Sequence, residues 1–247
     1  SGTFGTMKKI AQIMDTDSEP DGGEPVPEVC ADIEFDNVSF AYAGGQDVIK
    51  NLSVKIPMGK VTAVIGGNGA GKSTLFKLLL HLYEPKSGEI RFGGDGIGKY
   101  SLTDWRDRFA VVPQRNPLIG GTVRENIAYG LDREVSDEEL AETARRANFS
   151  GGQGQCISIA RAMLRNADYL LLDEATSNLD VVSEAEVTGA MDELMRDKTT
   201  IMIAHNYAAT RNADYIIVMK DGAVEAAGTP DELLKTNEYY KMFVKTL

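Results

Sequence analysis

The residues between Gly66 and Thr74 have the types and spacing of a phosphate-binding loop. They fit the pattern G-x-x-x-x-G-K-[ST], between an apolar run that predicts a strand and one that predicts a helix. Glycines tolerate positive φ, so the backbone can wrap closely around phosphates, and the helix N-terminus adds positive potential. We expect Lys72 to reach the β- and γ-phosphates and Ser73 to ligate Mg²⁺. The full set of predicted phosphate-binding residues is Gly66, Gly67, Asn68, Gly69, Ala70, Gly71, Lys72, Ser73 and Thr74.

An acidic pair, Asp173 and Glu174, follows a second apolar run at residues 169–172. At the end of a buried parallel strand Asp173 would face the phosphate site and hold Mg²⁺, directly or through water. Glu174 would polarise an attacking water molecule. Carboxylates at strand ends are common, so this string alone is a weak signal, and the loop about 100 residues earlier is what gives it meaning.

A third element precedes a helical pattern at residues 157–164. Two glycines and a serine at a helix N-terminus can form a second phosphate-binding surface. The competing interpretation, an N-cap serine followed by a turn, would be favoured without the other motifs. The residues of this element are Ser150, Gly151, Gly152 and Gln153.

The elements around these motifs predict an α/β fold with a P-loop NTPase core. Continuous apolar runs at 61–65, 169–172, 200–203 and 215–218 suit a mostly parallel sheet that is covered on both faces. Alternating runs near 33–42, 52–56 and 89–92 predict an antiparallel subdomain at the N-terminal side. Helices are expected over 182–196 and from a Ser136–Glu139 capping box to about Ala147.

Composition narrows the functional classes. The 247 residues carry a net charge of −11 and no dense Lys/Arg cluster, which disfavours a nucleic-acid binder. The two cysteines, Cys30 and Cys156, have no metal-ligand spacing and fit a reduced, cytosolic setting. No apolar run reaches the length of a membrane span, and no signal peptide is evident.

Taken in order, the motifs resemble those of the ATP-binding cassette (ABC) family over about residues 33–247. The series is the P-loop at 66–74, Gln114, the signature at 150–153, the acidic pair, the loop from Ser177 to Asp180, and His205. The resemblance implies an ATPase that uses ATP and Mg²⁺ and works as a head-to-tail dimer. Each ATP would lie between one P-loop and the partner's signature loop.

The resemblance also implies roles for single residues. Tyr42 matches the aromatic residue that stacks on adenine, although strand packing alone would also place an aromatic there. Gln114 matches the glutamine that senses Mg²⁺ and the attacking water, and His205 matches the histidine near the γ-phosphate. Asp180 would contact the partner domain. The catalytic set is therefore Glu174, His205, Lys72 and Gln114, and the metal set is Ser73, Gln114 and Asp173.

Three segments resemble exporters rather than importers: 121–127, 172–177 and 228–234. Residues 1–32, which include an acidic stretch rich in Gly and Pro, resemble the tether that follows an exporter's last membrane helix. We therefore expect a nucleotide-binding domain of a longer transporter, at the cytoplasmic face of a membrane and soluble in isolation. Its expected partners are a second ATPase domain, identical or different, and a transmembrane domain. No nucleic acid is expected.

The main departure from the family lies in the helical subdomain, about residues 115–165. Exporters have a helix and a loop between the first helical segment and the signature. Here residues 144–148 run almost directly into residues 149–153, which include the signature. A segment near 148–149 is therefore either deleted or disordered and left out of the sequence, and we favour the second interpretation. A real gap would affect coupling to transport more than ATP binding. Smaller departures are Phe149, Gly154, Cys156 and Asn206, and none removes a group that the chemistry needs.

Other functional classes stay open at this point. A soluble cassette ATPase acting on DNA or the ribosome is disfavoured by the acidic charge and the exporter-like leader. A regulatory module that binds ATP without turnover is disfavoured by Glu174 and His205. A small-molecule kinase is remote, because the signature at 150–153 has no place in one.

Overall fold

The structure of the protein is a computed structural model that describes residue 19 and residues 22–148, 154–173 and 181–245. The side chains of residues 181–186 are not among those described. None of the helices within these ranges combines the length and the apolar character needed to cross a bilayer.

A six-stranded sheet forms the centre of the molecule, in the order β10-β9-β3-β8-β7-β6. The pairs that join β6, β7, β8, β3 and β9 are parallel, and β10 runs antiparallel to β9 at the edge. The four apolar runs that predicted β3, β7, β8 and β9 are almost wholly buried, and the predicted α/β fold with a mostly parallel sheet is confirmed. The strands are β3 Val61–Gly66, β6 Phe109–Val112, β7 Tyr169–Asp173, β8 Thr199–Ile203, β9 Tyr215–Lys220 and β10 Ala223–Gly228.

A second, antiparallel sheet has the order β2-β1-β4-β5. Its strands are β1 Ile33–Ala41, β2 Asp47–Ile56, β4 Ser87–Phe92 and β5 Asp95–Gly96. The two-residue turn Gly93–Gly94 joins β4 to β5, and both glycines have positive φ (59° and 95°). The predicted antiparallel subdomain is thus present.

The helices lie mainly on the face of the large sheet away from the antiparallel subdomain. Those near the predicted boundaries match within a few residues, for example Val181–Met195 against 182–196. The helices are α1 Lys72–Leu79, α2 Leu102–Asp107, α3 Val123–Ile127, α4 Asp137–Arg146, α5 Gly154–Arg165, α6 Val181–Met195, α7 Tyr207–Thr210, α8 Pro230–Thr236 and α9 Glu238–Val244, with a 3₁₀ turn at Ile97–Lys99.

Each face of the large sheet belongs to a different apolar core. Alternate residues of one strand divide between them: Leu170 and Leu172 join the core beneath α5 and α6, and Leu171 joins the core shared with α1 and the antiparallel sheet. The central sheet is therefore covered on both sides, as a parallel sheet requires.

The start of α4 differs in part from the predicted capping box. The Ser136 hydroxyl accepts a hydrogen bond from Glu139 N at 3.1 Å, as expected of an N-cap. The carboxylate of Glu139 is instead bound by Arg133, 2.6 Å away, so only the Ser136 half of the motif is observed. The helix ends at Arg146 with Ala147 as its C-cap, as predicted.

The sequence predicts His81 as a helix-surface residue, and this prediction is wrong. His81 follows the C-terminus of α1 with φ of 52°, and only 6% of it is exposed. Its Nε2 lies 2.6 Å from the Glu84 carboxylate. The left-handed backbone of this residue ends the helix and turns the side chain inward, which sequence spacing did not indicate.

Residues 22–32, here termed the leader strap, lie against the folded domain. Glu24 pairs with the 3₁₀ turn through two backbone hydrogen bonds of 2.8 Å, Glu24 N to Lys99 O and Ser101 N to Glu24 O. A Cβ on Gly23 would lie 2.2 Å from the backbone of Tyr100, so the strap packs with no space to spare. Just outside it, Glu19 forms a bidentate ion pair with Arg106.

The strap reaches the large sheet at the beginning of β6 and β7. Arg108, just ahead of β6, donates to the carbonyl oxygens of Pro27 (3.3 Å) and Val29 (2.7 Å). The Tyr169 hydroxyl accepts from Ala31 N at 2.8 Å and donates to Ala31 O at 2.7 Å. Burial raises the pKa of Tyr169 to about 12.

Candidate nucleotide-binding site

The P-loop links the end of β3 to the start of α1, which confirms the predicted strand–loop–helix arrangement. Gly66, Gly69 and Gly71 have φ of 150°, 78° and 100°, conformations that side-chain-bearing residues rarely adopt. A Cβ on Gly66 would lie 2.3 Å from Met219 O, and one on Gly71 would lie 2.7 Å from Ile49 Cδ1. Backbone conformation therefore favours glycine at both positions, and at Gly66 the backbone of Met219 also leaves no room for a Cβ.

Lys72 is the first residue of α1, and only 6% of it is exposed. Its ammonium donates to Gly66 O at 2.8 Å and to Gly67 O at 3.1 Å. The side chain thus folds back over the loop and places its charge next to the carbonyl groups at the start of the loop. A buried ammonium needs such acceptors, and an anionic ligand entering the loop would meet this charge first.

A cavity of about 220 Å³ opens over the loop. It is lined by residues 68–74 together with Val48 of β2 and His205. His205 lies two residues beyond β8 and is exposed, so its imidazole faces the cavity from the neighbouring strand end. The fold thereby joins the predicted loop and the predicted histidine in one site, although they are far apart in sequence.

Val48 is a site residue that sequence reasoning missed. It lies in β2 of the antiparallel sheet and lines the cavity together with the P-loop and His205. A valine in a strand carries no signal of ligand contact, so only the packing of the two sheets shows this role.

Tyr42 follows β1 and reaches the P-loop helix. Its hydroxyl lies 3.1 Å from Thr74 Oγ1 and accepts from Lys77 Nζ at 3.3 Å. Its ring packs edge-on against Phe40 and Tyr83, with centroid distances of 4.9 and 5.3 Å. The structure therefore brings Tyr42 next to the loop, while the cavity itself is lined by other residues.

The remaining described candidates lie at the carboxyl edge of the large sheet. Gln114 is exposed two residues beyond β6, and Asp173 is the last residue of β7, in register with Ile203 of β8. Carboxyl ends of parallel strands share one edge, so these residues and the P-loop belong to the same edge. In open α/β sheets this is where ligands bind.

Part of the predicted site lies outside the described residues. This holds for Glu174, for Asp180, and for the signature residues Ser150, Gly151, Gly152 and Gln153. Their roles stay predictions.

The described residues suit Mg²⁺ in their chemistry. The Ser73 hydroxyl is exposed in the first turn of α1, and the amide of Gln114 and the carboxylate of Asp173 supply further oxygens at the same edge. Oxygen donors with few carboxylates are what Mg²⁺ takes when phosphates complete its shell. Within the described ranges, no cluster of three or more His, Cys, Asp or Glu side chains forms a protein-only metal site.

Comparison with known proteins identifies the family. The family model described as "ABC transporter" matches residues 49–177, about half of the chain. The chain belongs to the ABC transporter family. The prediction of an ABC-type nucleotide-binding ATPase domain is thereby confirmed.

Relatives and solved structures agree with this assignment. The chain is 38% identical over 258 positions to the ATP-dependent lipid A-core flippase of Escherichia coli strain K12, covering 94% of this chain and 44% of the flippase. The flippase of Salmonella paratyphi A gives the same identity over 257 positions. The structure of a bacterial Atm1-family ABC exporter with ATP bound superposes with a TM-score of 0.85 at 29% identity, covering 96% of this chain and 46% of the exporter. The chain therefore spans less than half the length of these proteins.

Proposed function

We propose that this chain is the ATP-hydrolysing domain of an ABC exporter and drives translocation through ATP-dependent head-to-tail dimerisation. The observation that carries the proposal is the cavity that joins the P-loop to His205. An ATP phosphate chain is the ligand that such a glycine-rich loop, buried ammonium and facing imidazole suit best.

Each residue has a proposed task in that reaction. The loop N–H groups and Lys72 bind the β- and γ-phosphates and stabilise the charge that develops on them. Tyr42 contacts adenine. Glu174 accepts a proton from the attacking water, and His205 holds the γ-phosphate.

Mg²⁺ completes the site. Ser73, Asp173 and Gln114 would hold it, and it would neutralise charge on the phosphate oxygens. These residues lie at one edge of the sheet, which supports the assignment.

Dimerisation follows from the division of the site between two copies. The signature residues 150–153 and Asp180 of one domain would contact the ATP bound by the other. ATP would favour the closed pair only by its higher affinity for it, so hydrolysis would release the pair. The partner domain and the preceding transmembrane domain are proposed on the likeness to exporters of more than twice this length.

The length of the alignment supports the proposed gap before the signature. It extends over 258 positions, whereas 94% of the 247 residues is about 232, so the flippase has about 26 positions without a counterpart here. We place this difference at the short junction 148–149. A shorter helical subdomain would alter contacts with the membrane domain and leave the P-loop half of the site intact.

The test is Glu174→Gln with and without Mg-ATP, measured by size-exclusion chromatography with light scattering. Removal of the proposed base should stop hydrolysis and trap an ATP-bound dimer of twice the 26.8 kDa chain mass. The control is the same substitution combined with Lys72→Ala, which should stay monomeric. Wild-type turnover in Glu174→Gln would refute the base assignment, and a persistent monomer with ATP bound would refute dimerisation by ATP alone.

A further inference from the structure

The turn Asp221–Gly222, which joins β9 to β10, lies directly behind the P-loop. Gly222 N donates to Ala70 O at 3.2 Å, and Gly222 O accepts from Lys50 N of β2 at 2.8 Å. The turn is therefore bonded on one side to the phosphate loop and on the other to the antiparallel sheet.

The turn is also closely packed against the backbone of β2. A Cβ on Gly222 would lie 2.2 Å from Val48 O, and one on Gly71 would lie 3.3 Å from the same oxygen. The backbone of β2 is thus held between the turn and the loop. Val48 also lines the cavity, so displacement of the turn would reach the cavity wall.

The hydrogen bond from Gly222 N to Ala70 O fixes the orientation of the whole peptide unit between Ala70 and Gly71. The peptide unit between Ala70 and Gly71 is planar, and its C=O and N–H point in opposite directions. Because the carbonyl oxygen is bound by Gly222, the Gly71 N–H is directed away from the turn, and Gly71 itself lines the cavity.

We propose that the Asp221–Gly222 turn is a positioning element of the phosphate site: it holds the Ala70–Gly71 peptide so that the Gly71 N–H faces a bound phosphate. The inference rests on the nucleotide binding proposed above and extends it to a segment about 150 residues away in sequence. The turn itself contacts no ligand and acts through the loop.

The chain offers a matched control. Asp221–Gly222 and Gly93–Gly94 are both two-residue hairpin turns with positive φ at each position, and the second residues have φ of 85° and 95°. Alanine should therefore impose a similar backbone strain at either site. A Cβ on Gly94 would meet nothing within 4 Å, whereas one on Gly222 would overlap Val48 O.

The experiment compares Gly222→Ala, Gly94→Ala and wild type for binding of a fluorescent ATP analogue and for melting temperature. We expect Kd to rise about tenfold or more in Gly222→Ala and to stay at the wild-type value in Gly94→Ala, with both melting temperatures lowered. In spectra of ¹⁵N-labelled protein, the Gly71 amide should shift on ATP addition in Gly94→Ala, with little shift in Gly222→Ala.

If Gly222→Ala does not fold, a second variant with one glycine inserted after Asp221 lengthens the turn without a new Cβ and should also bind ATP more weakly. Wild-type affinity in a folded Gly222→Ala or in the lengthened turn would overturn the inference, as would equal losses in the two alanine variants. Failure of wild type to bind ATP would instead refute the nucleotide site itself.

Discussion

The two edges of the six-stranded sheet differ sharply in how their polar groups are used. At the amino edge, side chains bind backbone of neighbouring segments: Thr199 Oγ1 accepts from Gly59 N, Asp214 from Val61 N, and Lys198 donates to Ala167 O, at 2.7–2.9 Å. At the carboxyl edge, Ser73, Gln114 and His205 are exposed, and Ser73 and His205 line a cavity.

This difference separates stability from function along the same strands. Bonds at the amino edge fix where each strand begins, and they include the Tyr169 hydroxyl on the leader strap. Groups at the carboxyl edge are positioned by those strands at the edge where a ligand would bind. Substitutions at the two edges should therefore have opposite signatures, one in unfolding and one in ATP binding.

The largest effect is expected for Lys72→Ala at the carboxyl edge. Loss of the ammonium removes charge-assisted bonds to phosphate worth about 3 kcal/mol, so ATP affinity should fall roughly 100-fold. The unfolding free energy without nucleotide should change much less, because the lost bonds to Gly66 O and Gly67 O are offset by removal of a buried charge. Isothermal titration calorimetry and urea unfolding measure the two quantities.

Lys235→Ala, an exposed residue of α8, is the control for removing a positive charge. It should leave both quantities unchanged. If Lys72→Ala kept wild-type affinity for ATP, the assignment of the carboxyl edge as the binding edge would fail.

The second largest effect is expected for Tyr169→Phe at the amino edge, where the unfolding free energy rather than ATP affinity should change. The substitution removes only the hydroxyl and leaves Ala31 N and O without their partner. Two hydrogen bonds of about 1 kcal/mol each suggest a loss of about 2 kcal/mol in unfolding free energy. ATP affinity should stay within twofold of wild type.

Hydrogen exchange would show whether the loss is local. Amides of residues 22–31 should exchange faster in Tyr169→Phe than in wild type, whereas those of β3 should change only as the global stability does. Unchanged protection of the strap would contradict the importance given to the Tyr169 contact.

The smallest effect concerns alkaline pH. The pKa of Tyr169 is raised to about 12 in the folded chain, against about 10 for an unfolded tyrosine. Between these values the folded state binds more protons, so the stability contributed by Tyr169 is complete below pH 10 and falls as pH rises toward 12. Urea unfolding from pH 9 to 11 should therefore bring wild type and Tyr169→Phe closer together, and parallel curves would exclude this linkage.

The sequence predicted what local pattern determines. The P-loop followed from glycine and lysine spacing, and the parallel strands followed from continuous apolar runs, because both depend on residues that are neighbours along the chain. His205 was identified from its place in the series of motifs, and the structure brings it to the cavity.

What the sequence did not predict depends on contacts between distant segments. His81 is buried because the chain turns left-handed after α1, and Val48 lines the cavity because two sheets pack together. The binding of residues 22–32 to α2 and β7 needs the partners' positions, which no pattern in a Gly- and Pro-containing stretch reveals.

The contacts of the leader strap also determine how far residues 22–32 can move relative to the folded domain. A free flexible segment of 11 residues has a root-mean-square end-to-end distance of about 18 Å, so one end would vary in position by about that distance relative to the other. The strap is instead bound to the 3₁₀ turn through Glu24 and to β7 through Ala31, so it is held near both of its ends. A displacement of the strap would therefore be transmitted directly to the beginning of β6 and β7.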